Sequence, residues 1–172
     1  MSSGNFYGIY PGVVVSNDDD EHKGRLTLLV PGVLGTTPSA PAEPCVPLAG
    51  PSGPAMGAFL VPPPGAGVWV QFIDGDQERP VWIGCRWGAS STVPSPAKEA
   101  SAGAPPIVFQ THGQNCFIMS DAPGSDGGFT LKTAGGAKIT INDTGITLSI
   151  GSSEIKMTTD KITLNNGALE VQ

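Results

Sequence analysis

Few side chains in this 172-residue chain have the chemistry for catalysis or metal binding. Four consecutive acids, Asp18-Asp19-Asp20-Glu21, offer the carboxylate oxygens that a calcium ion takes. A helix–loop–helix calcium site alternates its ligands and places a glycine at the sharp turn. This run does neither, and it reads as a solvated turn. Asp74 and Asp76 offer the two carboxylates of a glycoside hydrolase, one to protonate the leaving oxygen and one to act on the opposite face of the sugar. They also sit in Asp74-Gly75-Asp76-Gln77, a tight-turn signature between two apolar runs, which accounts for both acids without catalysis. Glu78 and Arg79 read as a surface pair, a weak interaction.

The only histidines are His22, in the charged turn, and His112. His112 and Cys116 form a His-x-x-x-Cys pair that several copies around an axis could direct at a metal ion. Neither histidine supports a Ser–His–Asp or Cys–His constellation. Cys45, Cys85 and Cys116 are odd in number and lack C-x-x-C spacing, so they read as reduced thiols and not as a disulfide framework. No catalytic, cofactor-binding or metal-ligating residue is assigned, no cofactor is expected, and an enzyme is not the favoured reading.

The elements that would position any site are strands. Gly 24 and Pro 17 are both high, and no window carries a long i, i+3, i+4 apolar pattern. The expected class is all-β. The formal net charge of −6 disfavours a nucleic-acid footprint, which shows a basic stripe, and disfavours adsorption to anionic lipid. The first residues, MSSGNFYGIY, lack the basic and apolar regions of a signal peptide, so synthesis in a cytoplasm is expected.

The C-terminal run from Ala137 to Gln172 dominates the organisation. Apolar residues alternate with polar ones at Ile139 and Ile141, then Ile146, Leu148 and Ile150, then Ile155 and Met157, then Ile162 and Leu164, then Leu169 and Val171. The first apolar residues of successive units are 7, 9, 7 and 7 residues apart. Such a repeat means stacked strands, each with one face apolar. Each unit offers only two or three apolar side chains. A lone set of these strands would leave its apolar face and its edges open to association. The simplest remedy is several copies closing a prism around the Ile/Leu rows. About six strands from Phe129 onward would give a stack of about 29 Å at a spacing of roughly 4.8 Å.

The first half reads as about five strands of a small closed barrel. Gly8–Ser16 and Gly24–Pro31 pair across the acidic turn, with Pro11-Gly12 marking a bulge or edge and Leu26, Leu28 and Val30 on one face. Gly32–Pro44 reads as a loop. In Gly67–Ile73, Val68, Val70 and Phe72 share one face, and Arg79–Trp87 returns beside it. Trp69, Trp82 and Trp87 suit core and subunit packing. Phe6 and Tyr7 precede the first strand and are placed to dock on a neighbour. Ala89–Pro106, rich in Ser, Ala and Pro, is a linker. The expected division is 1–90 barrel, 91–106 linker and 107–172 stacked strands.

Ordered motifs in the first half resemble a known family. Gly8-Ile9-Tyr10-Pro11-Gly12-Val13-Val14-Val15 is followed by Gly24-Arg25-Leu26-Thr27-Leu28-Leu29-Val30-Pro31-Gly32. Pro64-Gly65-Ala66-Gly67-Val68-Trp69-Val70-Gln71-Phe72 comes next, then Gly75-Asp76, then Arg79-Pro80-Val81-Trp82-Ile83-Gly84. This series is similar to the spike domain of baseplate assembly protein V and of the VgrG spikes of type VI secretion. The resemblance implies an N-terminal OB-type barrel followed by a trimeric, triple-stranded β-helix or β-prism needle. It implies a homotrimer, attached at the barrel end to the tail hub. The function implied is that of the central spike of a contractile phage tail baseplate, or of a related secretion particle, which pierces the target envelope on sheath contraction. The trimer core would comprise the eleven apolar residues from Ile139 to Val171 named above.

Two departures refine the expectation. Ala89–Pro106 is too short for the lysozyme domain that some relatives carry between barrel and needle. The last residues, Asn165 to Gln172, contain no His-x-His iron apex. A blunt end capped by a PAAR-type tip protein near Leu169 and Val171 is therefore expected. The competing readings are a cell-wall-degrading tail enzyme using Asp74 or Asp76, and an OB module that binds glycan or nucleic acid.

Overall fold

The computed structural model describes residues 5–50, 53–99, 104–165 and 167–171, the side chains of residues 170 and 171 excepted. The chain divides into two compact units, Met1–Gly88 and Ala89–Gln172.

Five strands build the first unit: β1 (Tyr10–Ser16), β2 (Thr27–Leu29), β3 (Glu43–Pro44), β4 (Gly67–Phe72) and β5 (Pro80–Arg86). Their order in the sheet is β2-β1-β4-β5-β3. Alternation decides which side chains enter the core. Leu26, Leu28, Val30, Val68 and Val70 are fully buried, and Val14, Phe72 and Trp82 join them. Trp82 carries a polar atom into this core, and its Nε1–H donates to the Gly24 carbonyl at 3.1 Å, so burial leaves no donor unpaired.

That strand order leaves β2 and β3 as edges, and one stretch joins them. Ser39 N–H donates to the Leu28 carbonyl at 2.8 Å, and Leu26 and Ala42 exchange both backbone bonds at 3.1 and 2.8 Å. The same stretch runs on as β3, parallel to β5, with Glu43 opposite Val81 and Pro44 opposite Trp82. Residues 38–44 therefore cross from the edge of β2 to the edge of β5 and close the barrel. Gly32–Pro44 is not the plain loop its composition suggested. It opens with a helical turn, Pro31–Leu34, and then pairs on both sides. Pro38, Pro41 and Pro44 hide that strand character, since proline is tolerated only at edges and irregular positions of a ladder.

Pro11 takes the edge position its type suggested: β1 has only β4 beside it there, because β2 begins to pair at Val13. The bulge of β1 lies further on, between Val14 and Ser16. Two other sequence expectations need correction. Phe6 is occupied within its own barrel. Its ring lies 6.1 and 6.2 Å from those of Tyr10 and Phe72, and its N–H donates to the Gly75 carbonyl at 2.8 Å. Tyr7 alone stays exposed.

The second correction is the acidic turn, which is not simply solvated. The Asp19 side chain is 5% exposed. Its carboxylate accepts N–H bonds from Glu21, Lys23 and Arg25 at 3.2, 2.8 and 3.0 Å, and Arg25 grips it through Nε and Nη2 at 2.8 and 2.7 Å. Asp20 and Glu21 lie against the same guanidinium. Asp19 is thus the organiser of the β1–β2 connection. The Arg25 hydrogen bonds and the backbone donors hold its carboxyl well below the ordinary aspartate range.

The second unit is one antiparallel meander of eight strands: β6 (Ile107–Gln110), β7 (Cys116–Ser120), β8 (Gly128–Lys132), β9 (Lys138–Asn142), β10 (Gly145–Ile150), β11 (Ser153–Met157), β12 (Ile162–Leu164) and β13 (Leu169–Val171). The turns fix the register. Asp143-Thr144 links β9 to β10, with Asn142 Oδ1 accepting from the Thr144 N–H at 2.9 Å and from its hydroxyl at 2.7 Å. Gly145 must be glycine, because a Cβ there would strike the Met157 carbonyl oxygen. Asn165 extends the β11–β12 ladder by one step, exchanging bonds with the Glu154 backbone at 2.8 and 3.0 Å.

The depressed Asp19 carboxyl makes a testable statement. A folded-state pKa below the unfolded value stabilises the fold above the unfolded pKa, and that stability is lost as pH falls toward the folded one. Thermal unfolding of the barrel is expected to show a steep loss below about pH 4. Asp19→Asn should lower the neutral-pH melting temperature and flatten that acid limb. Calorimetry between pH 7 and pH 2 on both proteins checks it.

Candidate functional site

The register of the second unit assembles its most distinctive surface. Residues directly opposite in neighbouring strands project to the same face. Starting at β6, Ile107 stands opposite Met119, Met119 opposite Phe129, and Phe129 opposite Ile141. The row continues through Ile146, Met157 and Ile162. A second row runs beside it through Phe109, Phe117, Leu131, Ile139, Leu148, Ile155, Leu164 and Leu169. Val171 pairs with Ile162 along the backbone, and its side chain lies outside the described residues. Ile150 shares the face but stands beyond the two rows, opposite Ser153.

One face is therefore apolar at every described position of both rows. The other carries Thr130, Thr140, Thr147 and Thr163 in line, with Lys138, Lys156 and Glu154. Among the described residues of this unit, none covers the apolar side. Leu148 is 43% exposed and Ile155 45%, whereas Thr140 on the opposite face is 9% exposed. Among the described residues, every buried hydrophobic belongs to the barrel. The second row floors a trough of about 820 Å³. A contiguous apolar surface on this scale marks an interaction site in a folded protein.

The sequence located the rows from Ile139 onward. It began the stack at Phe129, on β8, and did not extend it to β6 and β7, where Val108 and Ile118 put apolar residues on the other face as well and blur the alternation. Counting from β6, the stack has eight rungs, or about 38 Å at a spacing of roughly 4.8 Å.

Comparison with protein families gives this face a meaning. Residues 10–87 match the model of the type VI secretion system/phage-baseplate injector OB domain. Residues 106–170 match the phage baseplate V C-terminal trimerisation domain, which takes in the whole meander apart from the final residue of β13. The chain belongs to the phage baseplate V spike family. Among individual curated proteins, none gives a significant match. The family's domains are structural parts of a phage or secretion-system baseplate, and the match over the meander is to a domain that forms trimers.

In this spike protein the candidate chemical residues are dispersed. Asp74 adopts φ 57° in the β4–β5 turn and pairs with Arg79 Nη1 at 2.9 Å. Arg79 thus binds Asp74 and not the neighbouring Glu78. Asp76 Oδ1 accepts the Glu78 N–H at 3.0 Å. Both acids are engaged in turn geometry. His112 lies in the β6–β7 turn, and Cys116 stands on the threonine face, opposite in orientation to Phe117. Among the described residues, no group of three His, Cys, Asp or Glu side chains is arranged to hold a metal ion. The tryptophans divide by environment: Trp82 is in the core, Trp69 lies under Arg86 with 5.7 Å from guanidinium carbon to ring centre, and Trp87 is exposed.

The two faces of the sheet should respond differently to truncation. Leu148→Ala is expected to cost about 2–4 kcal/mol, the penalty of a buried leucine, although Leu148 is open in the single chain. Thr147→Ala, one residue away on the other face, should cost about 1 kcal/mol or less. Urea unfolding of the two variants at equal chain concentration measures the contrast.

Proposed function

We propose that this protein is the trimeric central spike of a contractile injection particle, fixed to the tail hub by its barrel and driven through the target envelope by its needle. One observation carries the reading: two apolar rows run across the strands of the second unit, and no described residue of that unit covers them. The family match over those strands supports three copies as the cover.

In the proposed assembly each chain supplies one wall of a prism. The apolar rows turn inward, and the Thr/Lys/Glu face turns to water. The trimer core then comprises the residues named from the sequence, Ile139 to Val171, extended by those of β6–β8. Every strand from β7 to β12 has a neighbour of its own chain on each side. The copies therefore meet as walls and do not interleave strands. Backbone hydrogen bonds between rungs run along the prism, and thrust along that direction is resisted by every rung at once. A closed wall with a dry interior suits a part that transmits force without an enzyme's chemistry.

The two ends of each wall are β6 and β13, each paired on one side only. β13 carries the exposed Leu169. An open, apolar-edged strand at the tip calls for a cover, and a PAAR-type tip protein seated there suits a blunt end. Baseplate membership places the protein in a phage or secretion particle; assembly on the hub of that particle is part of the proposal.

Light scattering of the purified full chain at micromolar concentration is expected to give the mass of three chains. A monomer overturns the reading. Leu148→Asp would put a carboxylate into the apolar interior, which costs far more than the site can repay, and should abolish the trimer. Thr147→Asp, on the outward face, should leave it intact.

A further inference from the structure

The two apolar rows are nearly uniform along most of their length. From β9 to β13 their described side chains are Ile, Leu and Met, with no aromatic among them. A uniform surface poses a problem for assembly. If one copy slid by a rung along its neighbours, Ile146 would stand level with a partner's Ile141, and apolar groups would still meet apolar groups. Weakly specified register is the usual hazard of repetitive strands. A copy inverted end for end would meet the same tolerance.

The other end of the rows differs. All three phenylalanines of the second unit fall on three adjacent strands, as Phe109 on β6, Phe117 on β7 and Phe129 on β8. They belong to the exposed face. Phe109 and Phe117 are directly opposite each other. Phe117 and Phe129 stack with ring centroids 6.3 Å apart and planes 16° from parallel. The three rings thus form one block, and Phe109 and Phe129 are each about half exposed in the single chain. Aromatic side chains are larger than the aliphatic ones they would meet after a slip, and their pairing has preferred geometries.

We infer that this phenylalanine block is the register and polarity lock of the trimer. The inference rests on the trimeric reading above. In the aligned assembly three equivalent blocks meet at one level of the prism and fill a section sized for rings. A copy displaced by one rung, about 4.8 Å, would bring rings against β9 aliphatics on one side and leave a gap at the ring level on the other. Both faults are penalised in a packed interior. The aliphatic rungs then supply adhesion, and the aromatic rungs decide which of several adhesive arrangements wins. Specificity against alternatives is a requirement separate from affinity.

Symmetry provides the test. In an aligned threefold trimer all copies are equivalent, whereas any slipped copy breaks that equivalence. Met119 and Met157 lie on the apolar row, on β7 and β11, and their methyl groups report on it. Methyl NMR of the methionine-labelled full chain, with mass checked by light scattering, is expected to show one signal for each. The variant Phe109→Leu/Phe117→Leu/Phe129→Leu should keep the mass of three chains while the Met157 signal splits into two or three. Met157 is three strands from the nearest substitution, so splitting there reports lost symmetry and not a lost ring current. A trimeric variant with a single Met157 signal overturns the lock. If the triple variant dissociates, Phe117→Leu alone is measured in the same way, and splitting or its absence decides the matter identically. A native chain that is not trimeric overturns the assembly reading and the lock together.

Discussion

A single-layer sheet with one apolar face cannot bury that face by itself, and this constraint governs the second half of the molecule. Hydrophobic burial is the main favourable term in folding, and it needs a second layer. The meander supplies none. Its ladder is complete from β6 to β13 and its turns are well bonded, yet the described side chains of its two apolar rows stay partly open to water. Backbone pairing alone gives a marginal structure in water. The stability of this unit is therefore tied to association, and its concentration is one of the variables that set it. Membership of a family with a dedicated trimerisation domain agrees with that dependence.

The barrel solves the opposite problem. It has an inward face sealed by Leu26, Leu28, Val30, Val68, Val70 and Trp82, and its edges are joined by the crossing at 38–44. It contains its own core. The Asp19–Arg25 bridge fixes the connection between its first two strands with charge-assisted bonds, which are stronger than neutral ones. A unit with its own core and an adhesive unit without one thus follow each other within a chain of modest length.

How much of this was legible follows from which physical signal each part carries. Period-2 alternation reveals a face, so Val68, Val70 and Phe72 were placed inward and Ile139 to Leu169 on one side without coordinates. The stack was begun at Phe129, but Ile107 and Phe117 were left out of it because Val108 and Ile118 interrupt the alternation on their strands. Alternation says nothing where proline replaces donors, and residues 38–44 were read as loop for that reason. Charge clusters mislead in another way. Asp18, Asp19 and Asp20 look alike in sequence, and only the fold turns one of them inward to collect three backbone donors and Arg25. Phe6 was misjudged because its partners, Tyr10 and Phe72, are far apart along the chain and meet only when β1 pairs with β4.

Repetition along the meander has a further consequence. Each hairpin adds two rungs to both rows and leaves the existing contacts unchanged, so the wall can vary in length while its cross-section stays constant. Quasi-one-dimensional architectures share this property, and they need distinct ends because the repeats themselves carry no address. Here the two ends do differ. The β6 end concentrates the three aromatic rings, and the β13 end is aliphatic, short and open at its edge. A stack built only from the Ile/Leu repeat would adhere to copies of itself in many alignments. Placing the bulk at one end gives the repeat a direction, and the uniform rungs beyond it can then be optimised for adhesion alone.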